Sequence, residues 1–104
     1  MGRRKGELTP NAVDRDYPHQ IALTQDESGG ANYETVHGFA DTLSVARRGH
    51  HFVRDKVWHT VFCFAKREDA QVFHTRFGGE WFDPARRGRG RRWHLLKDPK
   101  KRFY

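Results

Sequence analysis

The chain has 104 residues, 36% of them hydrophobic, and 20 Lys/Arg against 13 Asp/Glu for a formal net charge of +7. That length holds one domain around one modest core, and a single cysteine, Cys63, excludes a framework of internal disulfides. No apolar run approaches the roughly 20 residues that a membrane-spanning helix needs, so a membrane partner is not expected.

A domain this small with one thiol fits a reducing, cytoplasmic setting better than a secreted one. The N-terminus is basic at Arg3, Arg4 and Lys5. No apolar stretch follows it, so it does not read as a signal peptide. Aromatic residues are 13% of the chain and eight of them are Phe, so a few large rings are expected to supply much of the buried area.

The charge is unevenly distributed. Residues 84–104 hold nine Lys/Arg and one acid, Asp98, a net of +8, and residues 1–5 add +3. Residues 6–83 are left with −4. The basic character therefore belongs to the ends, with one local exception at Arg47, Arg48, Arg54 and Lys56. A polyanion is expected to meet those segments rather than the whole surface.

In chain order, residues 1–16 read as a flexible basic arm, with Thr9-Pro10-Asn11 as a turn signal. Residues 17–23 alternate, His19, Ile21 and Leu23 against Pro18, Gln20 and Ala22, which is strand periodicity. Residues 25–30 read as a loop. A helix is expected over about residues 32–43, since Tyr33, Val36, Ala40 and Leu43 recur at helical spacing with Phe39 beside them and Asn32 is placed to cap it. Residues 45–54 read as extended and weakened by Gly49. Asp55-Lys56 reads as a tight hairpin turn. Residues 57–65, Val-Trp-His-Thr-Val-Phe-Cys-Phe-Ala, form the clearest strand, rich in β-branched and aromatic residues. Residues 68–77 form the clearest helix, opened by Glu68 and Asp69, closed by Arg76 and stopped by Gly78-Gly79. A short strand at residues 80–83 ends at Pro84, and residues 85–104 read as a basic tail.

The order β-α-β-β-α-β predicts an α+β, ferredoxin-like domain over residues 17–84: a four-stranded antiparallel sheet with two helices on one face. Shared strand parity and the helical stripe predict a core of Ile21, Leu23, Trp58, Phe62, Phe64, Ala70, Phe73 and Phe77.

The segment from His59 to Glu80 resembles the second half of an RNA-recognition motif. An aromatic-rich strand ends in Phe64, Asp69-Ala70 opens a helix at the family's distance, and Gly78-Gly79 falls where that family has Asn-Gly. The resemblance implies base stacking at the positions three and five before the final Phe. Here these are Val61 and His59, neither of them aromatic carbocycles, and the motif's opening glycine and basic residue are absent. The strings Asp-Tyr-Pro-His-Gln-Ile-Ala-Leu and Phe-Cys-Phe-Ala also resemble short uncharacterised bacterial proteins, a likeness that carries no activity.

Candidate sites follow from residue chemistry. The run Arg-Arg-Gly-Arg-Gly-Arg-Arg-Trp offers guanidinium forks to phosphates at Arg86, Arg87, Arg89, Arg91 and Arg92. Trp93 beside them can stack on a base. Against this stand a solvated tail, or a tail that folds back through Trp93, Leu95 and Leu96. His50, His59 and Cys63 are zinc-ligand types on one sheet face, but no Cys-x-x-Cys-like spacing joins them, so no metal and no cofactor is expected. His50-His51 lacks the intervening residue of a His-hydrophobic-His nuclease, and Asp26, three residues beyond Leu23 in an expected loop, reads as a solvated acid. Cys63 has no base within reach and reads as an inert thiol. No catalytic residue is expected, and the chain reads as non-enzymatic.

The favoured expectation is a small binding module for RNA or single-stranded DNA, working through the tail and through Arg47, Arg48, Arg54 and Lys56. The alternative is a protein-interaction module. It would be a homodimer through an open sheet face exposing Ala22, Phe52 and Val61, or an inhibitor-like regulator whose basic tail docks on an acidic protein.

Overall fold

The structure is a computed structural model that describes residues 9–86. The predicted tail from Arg87 onward, with Arg89, Arg91, Arg92 and Trp93, and the first part of the predicted arm lie outside the described residues. Four strands, β1 (His19–Thr24), β2 (His50–Arg54), β3 (Val57–Phe64) and β4 (Glu80–Phe82), form one sheet in the order β2-β3-β1-β4. Every pairing is antiparallel. With α3 (Tyr33–Asp41) between β1 and β2 and α4 (Arg67–Phe77) between β3 and β4, this is the ferredoxin-like βαββαβ arrangement.

Two further helices flank β1. α1 (Pro10–Asp16) stands before the first strand, and α2 (Gln25–Ser28) follows β1 directly. In α2, Thr24 and Glu27 make a reciprocal capping box: the Thr24 hydroxyl accepts from the Glu27 N–H, and Glu27 accepts from the Thr24 N–H. The expected loop is therefore a capped turn of helix.

The hairpin is the most local part of the sheet. Asp55 and Lys56 have φ of 53° and 66°, the two-residue turn whose twist matches the flanking strands. That turn fixes the register His50↔Val61 and Phe52↔His59. The expected extension of β2 back to Val45 is interrupted. Val45 makes an isolated bridge to Phe64, and residues 46–49 bulge before pairing resumes at His50. Gly49 permits the bulge: a Cβ there would lie 2.0 Å from the Val61 carbonyl oxygen. Gly78 and Gly79, at φ 77° and 91°, turn the chain from α4 into β4.

One face of the sheet packs against both crossover helices. Ile21, Leu23, Phe62 and Phe64 meet Val36 and Ala40 of α3 and Ala70 and Phe73 of α4, with Phe77 partly buried at the margin. Phe73 lies at the centre, its ring 4.9 Å from Phe62, 5.2 Å from Phe64 and 5.1 Å from Phe77. Trp58 shares the parity of this set but not its burial and is 43% exposed. Parity selects a face of the strand, whereas burial also needs a helix above it, and Trp58 sits at the hairpin end.

The opposite face is not open. Val13 of α1 and the partly buried Tyr17 cover Ala22, Ala46, Phe52, Val61, Cys63 and Phe82. Ala22, Phe52 and Val61, expected as an exposed dimerisation surface, are 2%, 1% and 0% exposed. Residues 10–16 are thus an integral element rather than part of an irregular arm. The Thr9 side chain accepts from the Ala12 N–H and Pro10 occupies the first turn. Thr-Pro, read as a turn, is equally a helix start, and Val13 and Tyr17 are one helical turn apart on the buried side.

Candidate nucleic-acid interface

The basic residues of the hairpin divide into two kinds. Lys56 is exposed at the turn, as are Arg47 and Arg48 in the bulge. Arg54 instead reaches across the covered face to β4. Its two terminal nitrogens donate to the Glu80 carboxylate at 3.0 Å and 2.6 Å, and its guanidinium lies 5.7 Å from the Phe52 ring centroid. This bidentate pair ties together the two outermost strands of the sheet. Of the cations expected to meet phosphate, Arg54 has its fork matched to a carboxylate within the fold.

Glu80 responds to that pairing. The hydrogen bonds from Arg54 hold its carboxyl below the usual carboxylate range, and the positive charge of Arg86 adds to the effect. Arg86 follows β4 at the point where the arginine run begins. Because the folded pKa is depressed, the unfolded chain takes its proton first as pH falls. The pair's contribution is full above about pH 4.5 and is lost as pH drops through the folded value. The partners are 36% and 42% exposed, so the contribution is about 1 kcal/mol or less. Urea unfolding at mildly and strongly acidic pH should show Glu80→Gln with a shallower acid loss of stability than the parent chain.

Arg47 and Arg48 border a cleft between α3 and the β2–β3 hairpin. Its volume is about 500 Å³, and its lining includes Tyr33, His37, Asp41, His51 and Thr60. Tyr33 stacks on His37 at 4.0 Å between centroids and 20° between planes, and His37 meets the edge of Phe62 at 5.0 Å. His51 and Thr60 are cross-strand partners on the floor. Burial lowers the His37 pKa, opposed by the Asp41 charge, while the charge of His51 adds a smaller lowering. Sequence reasoning found Arg47 and Arg48 but missed the aromatic pair, because the helical spacing of Tyr33 marks it equally well as core. Tyr33 is in fact 54% exposed.

Beneath α1 lies a polar cluster. Asp14 is 2.8 Å from His50 Nε2 and accepts from Gln20 Nε2 at 3.1 Å, and Gln20 also donates to the Tyr17 carbonyl. Gln20 Oε1 is buried with no hydrogen-bond partner among the described residues. His59 holds Val57 O at 3.1 Å through Nδ1 and faces Arg54 at 3.4 Å through Nε2, so its Nδ1 carries the proton and its Nε2 accepts. It stacks on Phe52 at 4.6 Å, and Phe52 stacks on Phe82 at 5.2 Å. Cys63 is fully buried, its sulfur 3.7 Å from the Val61 carbonyl oxygen.

His50, His59 and Cys63 are accordingly oriented toward separate partners, and among the described residues no three His, Cys, Asp or Glu converge as a metal site. The base-stacking positions implied by the RNA-recognition likeness, His59 and Val61, lie inside the protein. His50 is buried and His51 exposed, so adjacent rings point to opposite faces. Asp26 lies exposed in the first turn of α2.

No family model matches the chain, no curated protein is significantly similar to it, and no solved structure matches it. The likeness to RNA-recognition motifs is therefore one of strand and helix order. Among the described residues, no helix is long and apolar enough to cross a membrane.

Proposed function

We propose that the chain is a non-enzymatic binding module that contacts RNA or single-stranded DNA through its arginine-rich C-terminal segment, in a reducing, cytoplasmic setting. The observation that supports this most is the partition of charge: +8 over residues 84–104 against −4 over residues 6–83. Phosphates are attracted mainly to the segment, since the domain that carries it is acidic overall. Five arginines within residues 86–92 offer planar forks to phosphate oxygens, and Gly88 and Gly90 let the backbone follow a flexible strand. Trp93 adds a ring on which a base can stack. Affinity then arises mainly from release of counterions, with weak sequence preference. Arg47, Arg48 and Lys56 are further exposed cations, whereas Arg54 belongs to the fold.

The test is fluorescence anisotropy of a labelled single-stranded oligonucleotide with the full chain, across a series of salt concentrations. Replacing Arg89, Arg91 and Arg92 together by Ala should weaken binding and make the slope of log affinity against log salt shallower by about 2. An unchanged slope would remove the segment from the interface. Displacement of the oligonucleotide by polyglutamate at equal charge concentration would instead favour an acidic protein as the partner.

A further inference from the structure

The arginine-rich segment supplies charge and, in Trp93, a single ring for stacking. In RNA-recognition motifs stacking comes from exposed rings on the sheet. Here the corresponding face is closed by α1 and by the Phe52–Phe82 stack. A base that meets the domain, rather than Trp93, must therefore find an aromatic surface away from that face. Tyr33, Trp58 and Trp81 are the large aromatic side chains exposed among the described residues, at 54%, 43% and 45%.

The cation chemistry around these three rings separates them. Trp81 borders a second cleft that includes Arg76 and Glu68. Arg76 already lies over the Phe39 ring at 4.7 Å and the Phe77 ring at 5.5 Å, and Glu68 would repel a phosphate. Trp58 lines neither cleft. Tyr33 alone shares a cleft with two exposed arginines, Arg47 and Arg48. Its ring is also pre-oriented by the His37 stack, which in turn rests on Phe62. A ring braced on one face loses little freedom when a base is added to the other.

We infer that the cleft between α3 and the β2–β3 hairpin binds one unpaired nucleotide, its base against the Tyr33–His37 stack and its phosphate at Arg47 and Arg48. The cleft, of about 500 Å³, falls within the size range of small-ligand sites. His51 and Thr60 supply hydrogen-bonding groups on the floor. Asp41, the one carboxylate in the lining, is an acceptor suited to the exocyclic amino group of a base and unsuited to a bare anion. The mixture of two guanidinium groups, a stacked ring pair and one acceptor matches a nucleotide better than it matches inorganic phosphate or an acidic peptide. The nucleotide could be free or part of a strand; the chemistry of recognition is the same. This inference deepens the proposed nucleic-acid contact and rests on it for the strand as source.

The experiment maps resonance shifts on the full-length protein with four probes: AMP, a short single-stranded oligoadenylate, a duplex of matched length and inorganic phosphate. AMP and the oligoadenylate should both move the ring resonances of Tyr33 and His37 and the amides of Gly49 and Thr60, and the duplex and phosphate should not. Tyr33→Leu should weaken oligoadenylate binding roughly ten- to a hundredfold with the salt slope unchanged. Arg47→Gln with Arg48→Gln should make that slope shallower by about 1.4. All three residues are exposed, so the variants should keep the parent amide spectrum, which the same data report. Equal shifts with phosphate would overturn the inference in favour of a simple anion site. Oligoadenylate shifts confined to the arginine-rich segment, with AMP silent, would also overturn it while leaving the proposed function standing. An oligoadenylate that moves nothing while AMP moves the cleft would support a free nucleotide as the ligand and sink the tail-based function instead.

Discussion

Phe73→Ala should lower the free energy of unfolding by about 3–5 kcal/mol, the range for removing a buried ring. Phe73 is fully buried and touches three other phenylalanine rings from β3 and α4. The loss has two parts. The ring's transfer from water is forfeited, and the surrounding rings, held by β3 on one side and α4 on the other, close only partly on the space left behind. For a domain of this size, such a change is a large fraction of the total stability. Urea denaturation followed by far-UV circular dichroism measures it directly, and a loss below about 1 kcal/mol would place Phe73 outside the core.

The second large effect is expected at α1. Val13→Asp should place a carboxylate against Ala22, Phe52, Val61 and Phe82, beside a site where Asp14 already engages His50 and Gln20. An unpaired charge in that setting favours release of the helix, by about 2–3 kcal/mol. Cys63 reports on the release, since it lies fully buried in the same cluster. Its reaction with a thiol reagent should accelerate roughly ten- to a hundredfold if local opening of α1 governs access. The β3 amide resonances should stay near their parent positions, because β3 is held independently by β1 and β2. Unchanged thiol reactivity would show that something other than α1 shields Cys63.

Much of this architecture can be read from local chemistry. The Asp55-Lys56 turn and the β-branched strand after it determine the hairpin register, because a two-residue loop admits one pairing. The stripe of Ala70, Phe73 and Phe77 and the glycine pair behind it determine α4 in the same way. Legibility fails where two structures share one signal. Thr9-Pro10 begins turns and helices alike, and only the burial of Val13 against the sheet decides between them. Once α1 covers the second face, both faces of β1 and β3 are interior: Gln20 to Leu23 and Val61 to Phe64 are buried without a break. Alternation then loses its meaning, and the reading of one wet face misassigns Ala22, Phe52 and Val61. The cleft was hidden for a related reason. Tyr33 has the spacing of a core residue, yet it falls beyond the sheet positions that α3 covers. The Arg54–Glu80 pair was hidden in the same way, since a cation's sequence neighbours do not reveal that Glu80 from the far edge of the sheet lies within reach.

The order β2-β3-β1-β4 also sets how the sheet assembles. The hairpin closes over two residues and needs no distant partner, so it is free to form early. β1 must then find β3 across the whole span from Thr24 to His59, and β4 must return to β1 across a longer one. Each of these closures costs chain entropy before its pairing is made. β4 is three residues long and joins last in this scheme, with the Arg54–Glu80 pair as the fastening between the first strand pair formed and the last strand added. Refolding should therefore be limited by the arrival of β4. A chain still emerging during synthesis would hold a finished hairpin and an open sheet until residues 80–82 are available.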